Sequence, residues 1–345
     1  MCVVNLPALT EIPVTLGVEE EVFVLEDGRE TPTLQSLDYL RRLWWSNPKK
    51  WAATTHSNFA RGADRRECFM GSIEIATGVH RSPDSLIEDL IERRAALARA
   101  AEGARVVPTG SLYTLSSPSN TASTHIHVGV PKEHRDTAYK NLARVAPALA
   151  IASANSPFGG GKPYALSFRL EVPGLIGPLR EDPEYRFQDL IISKRLGTIE
   201  LRLCDPIPEP ERLRAVLAAV QAVAAYPEAL PFDRETYNAE RKKWTKGCLT
   251  DFVQEAIELA ARTSGFSADW VCAPLGRRVG EIAERDGFDA AYRELDRIWR
   301  EPTGVPLALR PPSATRAVTG LVGYYAVRLP WIAYKGYKEW YGRTP

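Results

Sequence analysis

Period-two alternation of apolar and polar residues marks five segments as strands: residues 14–25, 72–77, 124–130, 165–170 and 197–203. Successive strand residues point to opposite sides, so each segment sorts into two faces. In the first, Leu16, Val18, Val22 and Val24 share one side, Glu19 and Glu21 take the other, and Glu20 falls among the valines. Ser72, Glu74 and Ala76 oppose Ile73 and Ile75, while His125 and His127 oppose Thr124, Ile126, Val128 and Val130. Ser167 pairs with Arg169, and Thr198, Glu200 and Arg202 fall together.

Helical periodicity fills the intervals. Ser82-Pro83 is a cap with proline at the first helical position, and the apolar pattern runs on to a stop at Gly103. Further helices are predicted at 134–154, 209–225 and 250–264, and shorter helical pieces follow Ser267. The chain ends in an aromatic tail that includes Tyr324, Tyr325, Trp331, Tyr334 and Trp340, expected to pack on the domain or across a dimer rather than on a membrane. No repeat, low-complexity stretch or long linker interrupts the pattern, so one domain is expected over 1–345, with a motif-bearing part at 14–245 and a helical part at 246–345.

The polar rows have an unusual content. A solvated antiparallel face is mixed and rich in lysine and threonine, whereas these rows repeat carboxylates, imidazoles and guanidiniums with almost no lysine. Several carboxylates with one or two histidines make a hard, oxygen-rich set that favours magnesium or manganese. Zinc is disfavoured by the carboxylate excess and the absence of an H-E-x-x-H motif. Arginines beside the carboxylates suit phosphoryl oxygens, which makes ATP the natural donor. Gly159-Gly160-Gly161-Lys162 is followed by Pro163 and lacks the spacing of a P-loop. His56, His80 and His134 are read as structural, and Cys68 and Cys204 as small buried side chains without a catalytic role.

Composition bounds the class. A chain of 345 residues, 44% hydrophobic and 25% charged, can bury a large core, and a formal charge of +1 gives no pull toward nucleic acid or an anionic membrane. Five scattered cysteines without a C-x-x-C pair fit a reducing cytoplasm. Neither a signal peptide nor a membrane-spanning run is expected. Twenty-six prolines against two methionines suit a heat-tolerant protein.

The segments Gly17-Val18-Glu19-Glu20-Glu21, Ser72 to Ser82, Thr124 to Val130, Ser153-Ala154-Asn155-Ser156-Pro157-Phe158 and Gly197 to Arg202 resemble, in order, the motifs of the glutamate-cysteine ligase type 2, or carboxylate-amine ligase, family. That resemblance implies an α+β fold, similar to glutamine synthetase and the guanidino kinases: a curved antiparallel sheet with helices on its outer face and the site on its concave face. It implies ATP, magnesium or manganese, and small-molecule substrates, namely a glutamate-like carboxylate and an amine. The carboxylate would take the γ-phosphate, and the amine would then displace phosphate. Glu19, Glu21, Glu74, His127 and Glu200 match the family's metal-ligand positions, and Glu67 matches a further acidic one. Arg202 and Glu200 match catalytic positions, with Arg202 near the transferred phosphate, and Arg169 matches an arginine that would hold the substrate carboxylate. Asn238 and Arg241 match a later nucleotide-side patch.

Two departures stand out. Gly159 to Gly161 replace an expected bulky aromatic and longer polar stretch, and Ser57 to Gly62 match no family role. Alternatives are a guanidino kinase-like phosphotransferase and a non-catalytic nucleotide-binding relative. The amine acceptor and any homo-oligomer are left open.

Overall fold

The structure is a computed structural model that describes residues 12–51, 53–60, 69–116, 120–171, 188–193 and 196–341. In chain order the elements are β1 (Thr15–Glu26), α1 (Ser36–Ser46), α2 (Pro48–Trp51), β2 (Thr55–Phe59), β3 (Met70–Ala76), α3 (Pro83–Ala100), β4 (Ala104–Val107), β5 (Thr124–Gly129) and α4 (Arg135–Ser153). Then follow β6 (Phe158–Gly159), β7 (Lys162–Pro163), β8 (Leu190–Ile192), β9 (Ile199–Cys204), α5 (Pro210–Ala224), α6 (Arg234–Trp244), α7 (Asp251–Ser264), α8 (Asp269–Cys272), α9 (Leu275–Asp286), α10 (Phe288–Arg300) and α11 (Ala314–Tyr341).

Seven strands build one antiparallel sheet in the order β2-β3-β1-β5-β9-β8, with β4 pairing to the second half of β1. Alternation decides which side of each strand is buried. Along β1, Leu16, Val18, Glu20 and Val22 are buried while Thr15, Gly17, Glu19 and Glu21 are half-buried. The apolar side meets α1, α3, α4 and α5 in the larger core. The helix starts where the sequence predicts: Ser82 accepts from the Ser85 amide and Pro83 opens α3, whose Leu86, Leu90 and Leu97 face the core.

The opposite side of β1 changes character at Phe23. Phe23 and Leu25 continue the row that carries Glu19 and Glu21, yet they are fully buried in a second core with Leu275 and Val279 of α9 and Tyr292 and Leu295 of α10. The α9–α10 pair therefore covers one end of the polar face. Asp296 accepts from the Val106 amide at 2.6 Å and Arg300 donates to the Ala104 carbonyl at 2.8 Å, which ties α10 to β4.

One predicted strand differs from the sequence reading, and β2, β4, β8, α1 and α6 lie where that reading named no element. Residues 165–170 are not a strand: a bridge joins Ser167 to Ser156, and Phe168–Glu171 is a 3₁₀ turn. Six residues with Leu166 and Leu170 four apart satisfy helical and extended periods alike, so alternation alone misassigns them. The shorter helical pieces expected after Ser267 are α8, α9 and α10, and the aromatic tail lies on a further helix of 28 residues, α11. Gly320 and Gly323 are contact points on that helix. A Cβ at Gly320 would lie 2.3 Å from the Asp38 amide nitrogen, and one at Gly323 would lie 2.4 Å from the Arg41 side chain. The tail packs on the domain at Tyr324, which stacks on Trp44 with ring centroids 5.5 Å apart. Among the described residues no helix is long and apolar enough to cross a membrane.

Candidate active site

Residues directly opposite on antiparallel strands share a face, and three such rows cross the sheet. His56, Glu74 and Glu21 align across β2, β3 and β1; Ala76, Glu19 and His125 align across β3, β1 and β5; Gly17, His127 and Glu200 align across β1, β5 and β9. Register thus gathers into one patch residues that lie up to the width of four strands apart.

At its centre, Glu19 Oε2 lies 3.4 Å from His127 Nε2 and 3.6 Å from His125 Nδ1, and His125 Nδ1 is also 3.6 Å from Glu200 Oε1. Arg202, beside a register shift between β5 and β9, donates to the same Glu200 oxygen. Thr198 Oγ1 contacts His127 Nδ1 at 3.0 Å, which leaves Nε2 turned toward the carboxylates.

The electrostatics separate the carboxylates. Burial alone would raise the pKa of Glu19, but the imidazoles of His125 and His127 beside it more than offset that and hold Glu19 well below the usual carboxylate range. Glu74 faces other carboxylates instead. Burial first, then the charges of Glu21 and Glu19, push it up to about 8 despite Arg202.

A divalent cation fits this chemistry. The buried His127 Nε2 and His125 Nδ1 have no hydrogen-bond partner, and lone pairs facing carboxylate oxygens repel unless a proton or cation lies between. One ligand atom each from Glu19, His127 and Glu200 fall within 4.8 Å of one another. Ligands on opposite sides of an octahedral magnesium ion are about 4.2 Å apart, so small side-chain shifts suffice. Two carboxylates and one imidazole match a hard ion better than a thiophilic one.

The remaining candidates are placed as follows. Glu21 and Glu74 oppose each other in register, adjoining the cluster. Glu67 and Cys68 lie outside the described residues. Arg169 reaches β9 from the 3₁₀ turn, not from a strand: its guanidinium donates to the carbonyls of Arg202 and Leu203. Its neighbour Ser167 turns away to Asp205, which also accepts from Ser156 and the Asn155 amide, each at 2.9 Å. Arg241 is committed to Asp189 through Nε at 2.8 Å and Nη2 at 3.1 Å, and Asp189 in turn accepts the Arg202 amide through its carbonyl. Asn238 stands on the same helix, α6, with its buried carbonyl oxygen unpartnered. Cys204 is buried and its thiol is pushed up to about 12 by desolvation, consistent with no catalytic role.

Three neighbours of the patch escape a reading by motif. His56, read from the sequence as structural, stands opposite Glu74 in register. Ser123 and Asn58 both donate to Glu21. The signal was faint because β2 reads Thr-His-Ser-Asn-Phe, polar on both sides, with no contrast to mark a strand. The glycine tract resolves into a tight hairpin between β6 and β7, with Gly160 and Gly161 at φ +59° and +75°. Its two amides donate to the Leu115 and Tyr113 carbonyls.

The fold is thus an antiparallel sheet with helices behind it and a carboxylate-imidazole patch in front. The solved glutamate-cysteine ligase of Francisella tularensis, in complex with AMP, superposes with a TM-score of 0.57 at 11% identity, covering 92% of this chain and 93% of that one. A bifunctional glutathione synthetase from Pasteurella multocida gives 0.53 at 10% identity, covering 84% of this chain and 52% of that one. In sequence, the family model described as glutamate-cysteine ligase family 2 matches residues 114–183. A provisionally named glutamate-cysteine ligase 2-3 of Rubrobacter xylanophilus is 27% identical, over 80% of this chain and 88% of the relative. A provisionally named glutamate-cysteine ligase 2-2 of Saccharopolyspora erythraea is 28% identical, over 81% of this chain and 83% of the relative. The resemblance read from the motifs is borne out: this chain is similar to glutamate-cysteine ligase family 2 in motifs, sequence and fold.

Proposed function

We propose that the protein is an ATP-dependent carboxylate-amine ligase acting on a glutamate-like carboxylate. The observation that carries the reading is the cluster of ligand atoms from Glu19, His127 and Glu200 with Arg202 paired to Glu200. Glu19, His127 and Glu200, adjoined by Glu21 and Glu74, would hold magnesium or manganese. When bound, such ions neutralise phosphate oxygens and let two anions approach.

The chain's own residues supply the rest. A carboxylate oxygen of the substrate attacks the γ-phosphorus of ATP, ADP leaves, and the amine then attacks the acyl carbon with release of phosphate. Arg202, partly exposed beside Glu200, would take up charge on the transferred phosphoryl group. Arg169 would orient the substrate carboxylate from its place over the end of β9. Arg241 would act at one remove, through Asp189 and the Arg202 backbone, and Asn238 would face the nucleotide. A carboxylate is a poor acyl donor, so a site that gathers this much metal-binding and cationic capacity suits activation by phosphorylation.

The test is phosphate release from purified protein with ATP, magnesium, glutamate and a panel of amines, with products identified by mass. Release that requires both glutamate and an amine, with an amide product, is expected. Absence of an amide product across the panel defeats the ligase reading, and a phosphorylated guanidine would favour a kinase in its place.

A further inference from the structure

Glu21 is held differently from Glu19. Asn58 Nδ2 on β2 donates to Oε1 at 2.8 Å, and Ser123 Oγ, just before β5, donates to Oε2 at 2.6 Å. A carboxylate only accepts, so Asn58 must present its NH₂ and not its carbonyl. The second N–H of that group reaches Ser72 Oγ on β3 at 3.1 Å.

Ser123 has a single hydroxyl proton. With it given to Glu21, the Ser123 oxygen accepts from His125 Nε2 at 2.6 Å, which leaves Nδ1 as the ring nitrogen facing Glu19 and Glu200. One hydroxyl therefore sets both a carboxylate orientation and an imidazole tautomer. An ionised carboxylate has about four lone-pair positions, so Glu21 keeps two beyond its two hydrogen bonds.

We propose that Asn58 and Ser123 are positioning residues that clamp the Glu21 carboxylate for a divalent cation. The proposal rests on the metal-site reading above, and it gives a role to Asn58, in a stretch that matches no family motif. Partners that orient metal ligands govern affinity, whereas a brace for the β2 edge would alter stability and leave metal binding by the folded chain unchanged.

The test is a Mn²⁺ titration of the full chain, followed by loss of the free-ion electron paramagnetic resonance signal, with thermal melting of the metal-free protein in parallel. Asn58→Ala and Ser123→Ala are each expected to weaken Mn²⁺ binding by about 10- to 100-fold, with metal-free melting close to wild type. Wild-type affinity in both variants overturns the clamp, as does a loss of affinity that only accompanies a collapse in melting temperature. Should one variant fail to fold, the other decides. A wild-type chain that binds no Mn²⁺ overturns the metal-site reading itself, a result distinct from failure of the clamp.

Discussion

Replacing Arg94 by methionine should strip Glu20 of its partner in the dry interior. Their side chains are 1% and 0% exposed. Arg94 donates through Nε at 3.0 Å to Glu20 Oε2 and through Nη2 to Oε1, and its other N–H groups reach the Pro208 and Ile207 carbonyls at 2.9 and 2.8 Å. Trp299 adds one hydrogen bond to Glu20 at 3.0 Å. The pair therefore ties β1 to α3, α10 and the approach to α5.

Removing one member of a buried pair costs about 3–5 kcal/mol, because the other charge stays buried. An exposed pair would cost about 0–1 kcal/mol. At a urea slope of about 3 kcal/mol per molar, the unfolding midpoint should fall by about 1–1.7 M. Urea titration read by tryptophan fluorescence measures it for Arg94→Met, Glu20→Leu and the double variant. The double variant should recover at least half of the summed loss, since apolar groups of similar volume replace such pairs well. A midpoint shift under about 0.3 M, or losses that simply add in the double variant, refutes the reasoning.

Glu200→Gln is expected to abolish turnover while leaving the melting temperature within a few degrees of wild type; retained activity would remove Glu200 from the site. Glu74 titrates at about 8 in the folded chain, against about 4.5 for an ordinary glutamate. Its contribution is full below the ordinary value and is lost as pH rises through the folded one. Metal-free protein should therefore lose stability between about pH 5 and 8, and Glu74→Gln should flatten that slope; parallel urea midpoint curves for the two proteins would contradict this. Gly320→Ala should loosen α11 from α1 at a cost of about 1–3 kcal/mol, seen as faster hydrogen exchange in α11 and not in α3; unchanged exchange in α11 would count against the close contact.

Period-two alternation placed Glu19, Glu21, Glu74, His127 and Glu200 on one side of their strands, and Glu20 on the other, before any fold was known. That much is local: a strand has a strict period, and a charge falls on one side or the other. The same local logic failed at 165–170, where six residues are too few to choose between periods, and at β2, where both sides are polar.

What only tertiary structure decided is distance and enclosure. The sequence determined which residues face alike; the register of β2, β3, β1, β5 and β9 determined that His127 meets Glu19, that His56 meets Glu74, and that Asn58 and Ser123 grip Glu21. Partners for Glu20 came from α3 and α10, some 74 and 279 residues along the chain. Hydrogen-bond register and helix packing are properties of pairs of segments, so no single segment can carry them.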